Sequence, residues 1–229
     1  MKKWIIGIDE VGRAAKKRRA SPKRYIIGID EVGRGPLAGP ITVVALATTV
    51  NIKLQISNLK NKKLKLKDSK KLSALQREQW FHYMQKLKKE KKIFYQIVSI
   101  APNIIDKINI TRAANRAATQ AYEKLKTKNS KHIKKHVVLL DGGLYLQESY
   151  KGIGKTIIKG DEKIPAISLA SIIAKVTRDK YMTKMHKKYP QYGFESHKGY
   201  GTRAHYRALA RYGASPLHRK TFLNKKKKV

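Results

Sequence analysis

Three short apolar runs rich in β-branched residues each end in carboxylates, and this pattern constrains the fold more than any other feature. Asp30 and Glu31 follow Tyr-Ile-Ile-Gly-Ile, Asp141 follows Val-Val-Leu-Leu, and Asp161 follows Thr-Ile-Ile-Lys-Gly. Short runs of this kind, bounded by Gly, Pro and polar residues, are strand signals. A carboxylate carried to the end of a buried strand loses hydration, and only hydrogen bonds or a positive charge offset that loss. With 15 acidic residues against 53 Lys and Arg, the placement of these four is informative.

The rest of the chain supplies the partners of such strands. The run from Tyr25 (YIIGIDEV) passes through a Gly- and Pro-rich turn, GRGPLAGP, into ITVVALATTV, which reads as a hairpin. Ser73 is placed to cap the helical pattern SALQREQWFHYMQKLKKE, and IFYQIVSI from Ile93 returns to strand. Residues 111–125 read as helix, VVLLDGG from Val137 as a buried strand, and KTIIKGD as a further short strand. SLASIIAKVTRDKYMTKMHKKY is a long helix stopped by Pro190, and TRAHYRALARYG a last helix that Gly213 ends. A hairpin followed by strand-helix alternation predicts an α/β fold, a mixed sheet covered by helices.

Composition excludes several function classes. The absence of cysteine rules out disulfides, zinc-thiolate sites and thiol nucleophiles, and it fits a cytoplasmic location. No apolar run is long enough to span a bilayer, and the basic start lacks the apolar stretch of a secretory signal. No Ser-His-Asp order is recognisable, and Gly152 to Lys155, GIGK, lacks the length and the Ser/Thr of a P-loop. His197 reads as structural. The net charge of +38 points to a polyanionic partner. The first 24 residues carry nine bases and two acids and Lys225 to Lys228 four more bases, so +27 remains on residues 25–224. Such a field attracts nucleic acid without choosing a sequence, although a lysine-biased genome is the bland alternative.

In a basic protein, carboxylates at strand ends fit phosphate chemistry. Asp30, Glu31, Asp141 and Asp161 could converge on hard cations, Mg²⁺ or Mn²⁺, and two such ions can drive phosphodiester hydrolysis without a side-chain nucleophile. The alternative is that these acids are ordinary caps and partners of abundant lysines.

A more specific signal lies in the stretch from Gly28 to Pro40, GIDEVGRGPLAGP, which resembles the opening motif of the ribonuclease HII family. Further blocks agree with that family in order: DSKKLS from Asp68, INITRA from Ile108, LLDGG from Leu139, KGD from Lys159, SIIAKVTRD from Ser171 and YPQYGFESHKGYGT from Tyr189. The resemblance implies a ribonuclease H-like fold: a mixed five-stranded sheet flanked by helices, with a helical C-terminal portion. It implies that Asp30, Glu31, Asp141 and Asp161 bind the catalytic metal ions, two Mg²⁺ or Mn²⁺. It further implies that Gly33, Arg34 and Gly35 read the ribose through their backbone, that Tyr200 packs at an RNA-to-DNA junction, and that Ser69 and Lys70 lie near the nucleic-acid backbone. The expected activity is endonucleolytic cleavage of RNA in RNA-DNA hybrids and 5′ to ribonucleotides in duplex DNA, leaving 3′-hydroxyl and 5′-phosphate ends, by a monomer. The rival from another class is a non-catalytic basic nucleic-acid-binding protein.

One feature departs from that pattern. The nonapeptide IIGIDEVGR occurs twice, at residues 5–13 and 26–34. Copy one runs into AAKKRR and lacks the second glycine and the PLAGP that follow copy two. The expected organisation is therefore a basic extension over residues 1–24, a catalytic domain over 25–222 and a basic tail over 223–229, with the site built on Asp30 and Glu31 rather than Asp9 and Glu10.

Overall fold

The computed structural model describes residues 24–49, 52 and 71–224. Strands β1 (Arg24–Val32) and β2 (Ile41–Thr49) form the expected antiparallel hairpin, and β3 (Ile93–Ile100) extends it antiparallel to β2. Strand β4 (Lys135–Asp141) lies parallel to β1 on its other side, with β5 (Gly154–Ile157) parallel to β4. The result is a mixed five-stranded sheet in the order β3-β2-β1-β4-β5, with β1 at its centre.

Alternation along β1 and β2 divides the core between the two faces of the sheet. Ile27, Ile29, Val43, Ala45 and Ala47 pack on one face against helix α3 (Ile110–Lys128), whose Ala113, Ala114, Ala117, Ala118 and Ala121 form a flat, small-residue surface. Val44 and Leu46 face the other way, toward α1 (Ala74–Lys89) and the long helix α5 (Pro165–Lys188) through Trp80, Met84, Leu169, Ile172 and Ile173. Gly28 permits the closest approach, since a Cβ there would stand 2.2 Å from the backbone carbon of Ala166. The start of α5 therefore lies directly on the middle of β1.

Local chemistry sets the boundaries of these helices. Ser73 and Gln76 form a reciprocal capping box at the start of α1. The α2 helix (Pro102–Ile108), which periodicity alone did not reveal, begins with proline in its first turn and ends at Asn109. Asn109 adopts a positive φ of 64° and accepts from the Arg112 amide to cap α3. Pro165 starts α5 three residues earlier than its apolar pattern suggests. Beyond α5, α6 (Phe194–His197) and α7 (Arg203–Tyr212) gather around Met182, Tyr192, Phe194 and Leu217, and α8 (Lys220–Asn224) packs Phe222 against the core on the α3 side of the sheet, giving the expected helical C-terminal portion. Among the described residues no helix is long and apolar enough to cross a membrane.

Candidate active site

Three acidic side chains come together at the carboxyl ends of β1 and β4. Asp30 is the seventh residue of β1 and Asp141 the last of β4, whereas Asp161 lies past the end of β5, in the first turn of the short helix α4 (Gly160–Lys163). One carboxylate oxygen of each lies within 4.8 Å of the others. The turn at α4 is organised by Asp141, whose Oδ1 accepts the amides of Gly160 at 2.7 Å and Asp161 at 3.4 Å. Glycine at 160 eases this approach, because a Cβ would lie 3.2 Å from Asp141 Oδ1 and 2.6 Å from Ile167 Cδ1.

The fourth expected member is placed differently. Successive strand residues point to opposite faces, so Asp30 turns toward α5 and Glu31 away from it. Glu31 is not part of the 4.8 Å cluster, and its Oε1 accepts from Arg34 Nε in an ion pair. It nevertheless lines the same pocket of about 420 Å³ with Asp30, Asp141, Asp161, Ser171, Lys175 and Tyr200. Its Oε2 is buried with no partner among the described residues.

The electrostatics of this pocket call for a cation. Burial pushes the Asp30 carboxyl well above its ordinary range, and the charges of Glu31 and Asp141 push it further, while hydrogen bonds from Ser171 and the Glu31 amide partly oppose them. Burial also raises Glu31, with Arg34 opposing and Asp141 adding. An all-oxygen donor set with one unpartnered buried oxygen suits a hard divalent ion. Lys175 is the cation on the pocket wall, and it is held by Asp179 at 2.9 Å.

The turn after β1 forms the neighbouring wall. Gly33 has φ +98°, and a Cβ there would lie 2.5 Å from Arg178 Nε, so the protein itself requires glycine. At Gly35 a Cβ would meet no atom within 4 Å. Arg34 links the turn after β1 to the one after β4, pairing with Glu31 and donating from Nη2 to the Gly143 carbonyl at 2.8 Å. Tyr200 is 41% exposed and lines the pocket, while its carbonyl accepts from His205 Nδ1. His197 is structural, as expected: Nε2 donates to the Tyr192 carbonyl and the ring stacks on His205 at 4.4 Å. Ser69, Lys70 and the Asp9-Glu10 pair lie outside the described residues.

Sequence reasoning missed Ser171, Lys175 and Arg178. They stand at i, i+4 and i+7 of α5, one helical face, and that spacing was the available signal. Arg178 is fully buried and donates to the carbonyls of Pro40, Lys198 and Ala38, which joins the turn after β1 to the segment bearing Tyr200.

Known proteins resemble this chain in sequence and fold. Ribonuclease HII of Oceanobacillus iheyensis is 41% identical over 219 residues, covering 96% of this chain and 68% of its own length. The ribonuclease H2 of Pyrococcus horikoshii shares the fold, with a TM-score of 0.65 at 24% identity, covering 90% of this chain and all of that one. Bst-RNase HIII, solved in complex with Mn²⁺, superposes with a TM-score of 0.66 at 18% identity, covering 91% of this chain and 70% of that one. The family model described as Ribonuclease HII matches residues 27–225, and this chain belongs to the ribonuclease HII family, endoribonucleases that act on RNA-DNA hybrids.

Proposed function

We propose that the chain cuts the RNA strand of RNA-DNA hybrids and the phosphodiester 5′ to a ribonucleotide embedded in duplex DNA, leaving 3′-hydroxyl and 5′-phosphate ends. The observation that carries this reading is the convergence of Asp30, Asp141 and Asp161, with Glu31 beside them, in one pocket of a chain with a net charge of +38. These four carboxylates would hold two metal ions, Mg²⁺ or Mn²⁺. Bound there, divalent ions supply Lewis-acid stabilisation of the phosphate and activation of the attacking water. The relative solved with Mn²⁺ is in keeping with that choice.

The protein's own residues would do the positioning. Asp141, fixed by the Gly160 and Asp161 amides, and Asp30, steadied by Ser171 and the Glu31 amide, present oxygens that need no rearrangement to receive a cation. Gly33, Arg34 and Gly35 would meet the ribose through the backbone. Gly35 supports this, because the fold leaves open space where its side chain would be, and a close-approaching ligand is a reason for glycine that packing does not provide. Tyr200 would rest its exposed ring against the sugar or base at the RNA-to-DNA junction, and Ser69 and Lys70 would lie near the nucleic-acid backbone. Residues 25–222 form the catalytic domain in this reading, residues 1–24 and 223–229 are basic appendages, and the enzyme works as a cytoplasmic monomer.

The test is a duplex carrying one embedded ribonucleotide, incubated with Mg²⁺ or Mn²⁺ and, in parallel, with chelator. Cleavage 5′ to the ribonucleotide only with the divalent ion is expected. Binding without cleavage under both conditions would favour a non-catalytic basic protein instead.

A further inference from the structure

Arg219 is fully buried, and none of the hydrogen bonds of its guanidinium goes to a carboxylate. Its fork is spent on three backbone carbonyls of one turn. Nη2 donates to Gly33 at 2.6 Å and Gly39 at 2.9 Å, Nη1 to Arg34 at 2.9 Å, and Nε to Gly39 at 3.0 Å. The main chain around it adds two bonds, from the Arg219 amide to the Leu37 carbonyl and from the Gly39 amide to the Leu217 carbonyl, both 2.8 Å. Asp106 fixes the next residues by accepting the amides of Lys220 and Thr221. Residues 217–221 thus form a strap that holds residues 33–39 from beneath.

The peptide bond gives this strap a consequence for substrate. In a planar trans peptide the carbonyl and the following N–H point in opposite directions. Drawing the Gly33 and Arg34 carbonyls down onto Arg219 therefore turns the Arg34 and Gly35 amides outward. Among the described residues neither amide has an acceptor.

We propose that Arg219 is a positioning residue for ribose recognition, fixing the Arg34 and Gly35 amides as the two donors presented to the sugar hydroxyl. The inference rests on the reading that residues 33–35 meet the ribose. Arginine suits the task because its planar fork serves three carbonyls at once, which neither a lysine ammonium nor a glutamine amide does.

The test compares wild type with Arg219→Gln and Arg219→Lys. Four quantities are read: kcat/KM on a duplex with one ribonucleotide, the inhibition constant of the same duplex in all-DNA form, affinity for Mn²⁺ alone, and the unfolding midpoint. Both variants should lose tenfold or more in kcat/KM while DNA inhibition and Mn²⁺ affinity stay within about twofold. A kcat/KM within twofold of wild type overturns the proposal, as does recovery by Lys alone, which would make charge and not the fork responsible. Parallel loss of Mn²⁺ affinity, DNA binding and the cooperative unfolding transition, or failure of both variants to fold, assigns Arg219 a purely structural role and also overturns it. A wild-type enzyme that ignores the ribose would instead defeat the underlying reading of residues 33–35, an outcome visible before any variant is made.

Discussion

Replacing Asp30 by asparagine should make the metal-free protein more stable. Its carboxylate is 4% exposed and shares a 4.8 Å cluster with Asp141 and Asp161. Two unit charges at that separation repel by about 3.5 kcal/mol at an effective dielectric constant of about 20. The metal-free protein sheds part of this by keeping a proton on Asp30, whose carboxyl burial and neighbouring charges push upward. The gain realised by Asp30→Asn is therefore smaller, about 1–3 kcal/mol. The hydrogen bond from the Glu31 amide survives, because an asparagine oxygen still accepts it. At about 2–4 °C per kcal/mol for a chain of this size, the unfolding midpoint in chelator should rise by roughly 2–12 °C. Addition of Mn²⁺ at 100 times its dissociation constant should then stabilise wild type by about 2.7 kcal/mol and the variant by much less, which narrows or reverses the order. Calorimetry with chelator and with Mn²⁺ measures both effects. A variant that is less stable in chelator and gains as much from Mn²⁺ as wild type would refute the idea that Asp30 sits in a cation-demanding cluster.

Tyr200→Ala should lower cleavage at a single embedded ribonucleotide at least tenfold with little change in unfolding midpoint, because the ring is 41% exposed; unchanged cleavage would remove Tyr200 from the site. Deletion of residues 1–21 should preserve metal-dependent cleavage and weaken low-salt duplex binding, since it removes bases that bind phosphate without selectivity; a binding titration in salt reads the change in slope. The buried histidines predict acid sensitivity. His205 Nδ1 donates to the Tyr200 carbonyl, which leaves its Nε2 to accept from His218, whose Nδ1 in turn accepts the Ser215 amide. Both rings are therefore neutral, and burial with His205 alongside lowers His218 from 6.5 to about 4. The unfolded chain takes up this proton below about pH 6.5 and the folded chain only near pH 4, so stability is lost as pH falls through that window, by at most about 3 kcal/mol and less with solvent screening. Asp30 and Glu31 oppose the trend, because their raised carboxyls favour the fold as pH falls, so the pH series of unfolding midpoints belongs in an Asp30→Asn, Glu31→Gln background. A flat profile there would contradict the neutral histidine chain.

The strands and the carboxylates were legible because both are written locally. β1, β2, β3 and β4 follow from apolar runs bounded by turn residues, and their order with the helices gave a mixed sheet, whereas its five strands were expected only from the family resemblance. The pairing of β1 with β4 required the fold, and with it the meeting of Asp30 and Asp141. Asp161 looked like another strand-end acid, yet it belongs to a helical turn beyond β5 because Lys159, with φ 54°, redirects the chain. Glu31 looked equivalent to Asp30, but adjacent strand residues point to opposite faces and Arg34 is close enough to pair with it. Among the described residues Arg178 and Arg219 are fully buried, and the helical spacing of Arg178 with Ser171 and Lys175 was the one local signal, while nothing local marks Arg219. Apart from the Lys198 carbonyl, their partners are carbonyls of the turn after β1, 138 to 186 residues away in sequence, a long-range relation that no pattern along the chain records.

The central claim is that the second copy of IIGIDEVGR, not the first, builds the active site. It is tested most directly by full-length Asp30→Asn and Asp9→Asn proteins on the duplex with one embedded ribonucleotide in Mg²⁺. β1 has one place between β2 and β4, and the turn after copy two that binds Arg178 and Arg219 needs glycine at Gly39, with φ 88°, where the sequence after copy one has Arg18. Asp30→Asn should lose cleavage and Asp9→Asn should retain it. Cleavage by Asp30→Asn together with its loss in Asp9→Asn would place the catalytic pair in the first copy and contradict the account.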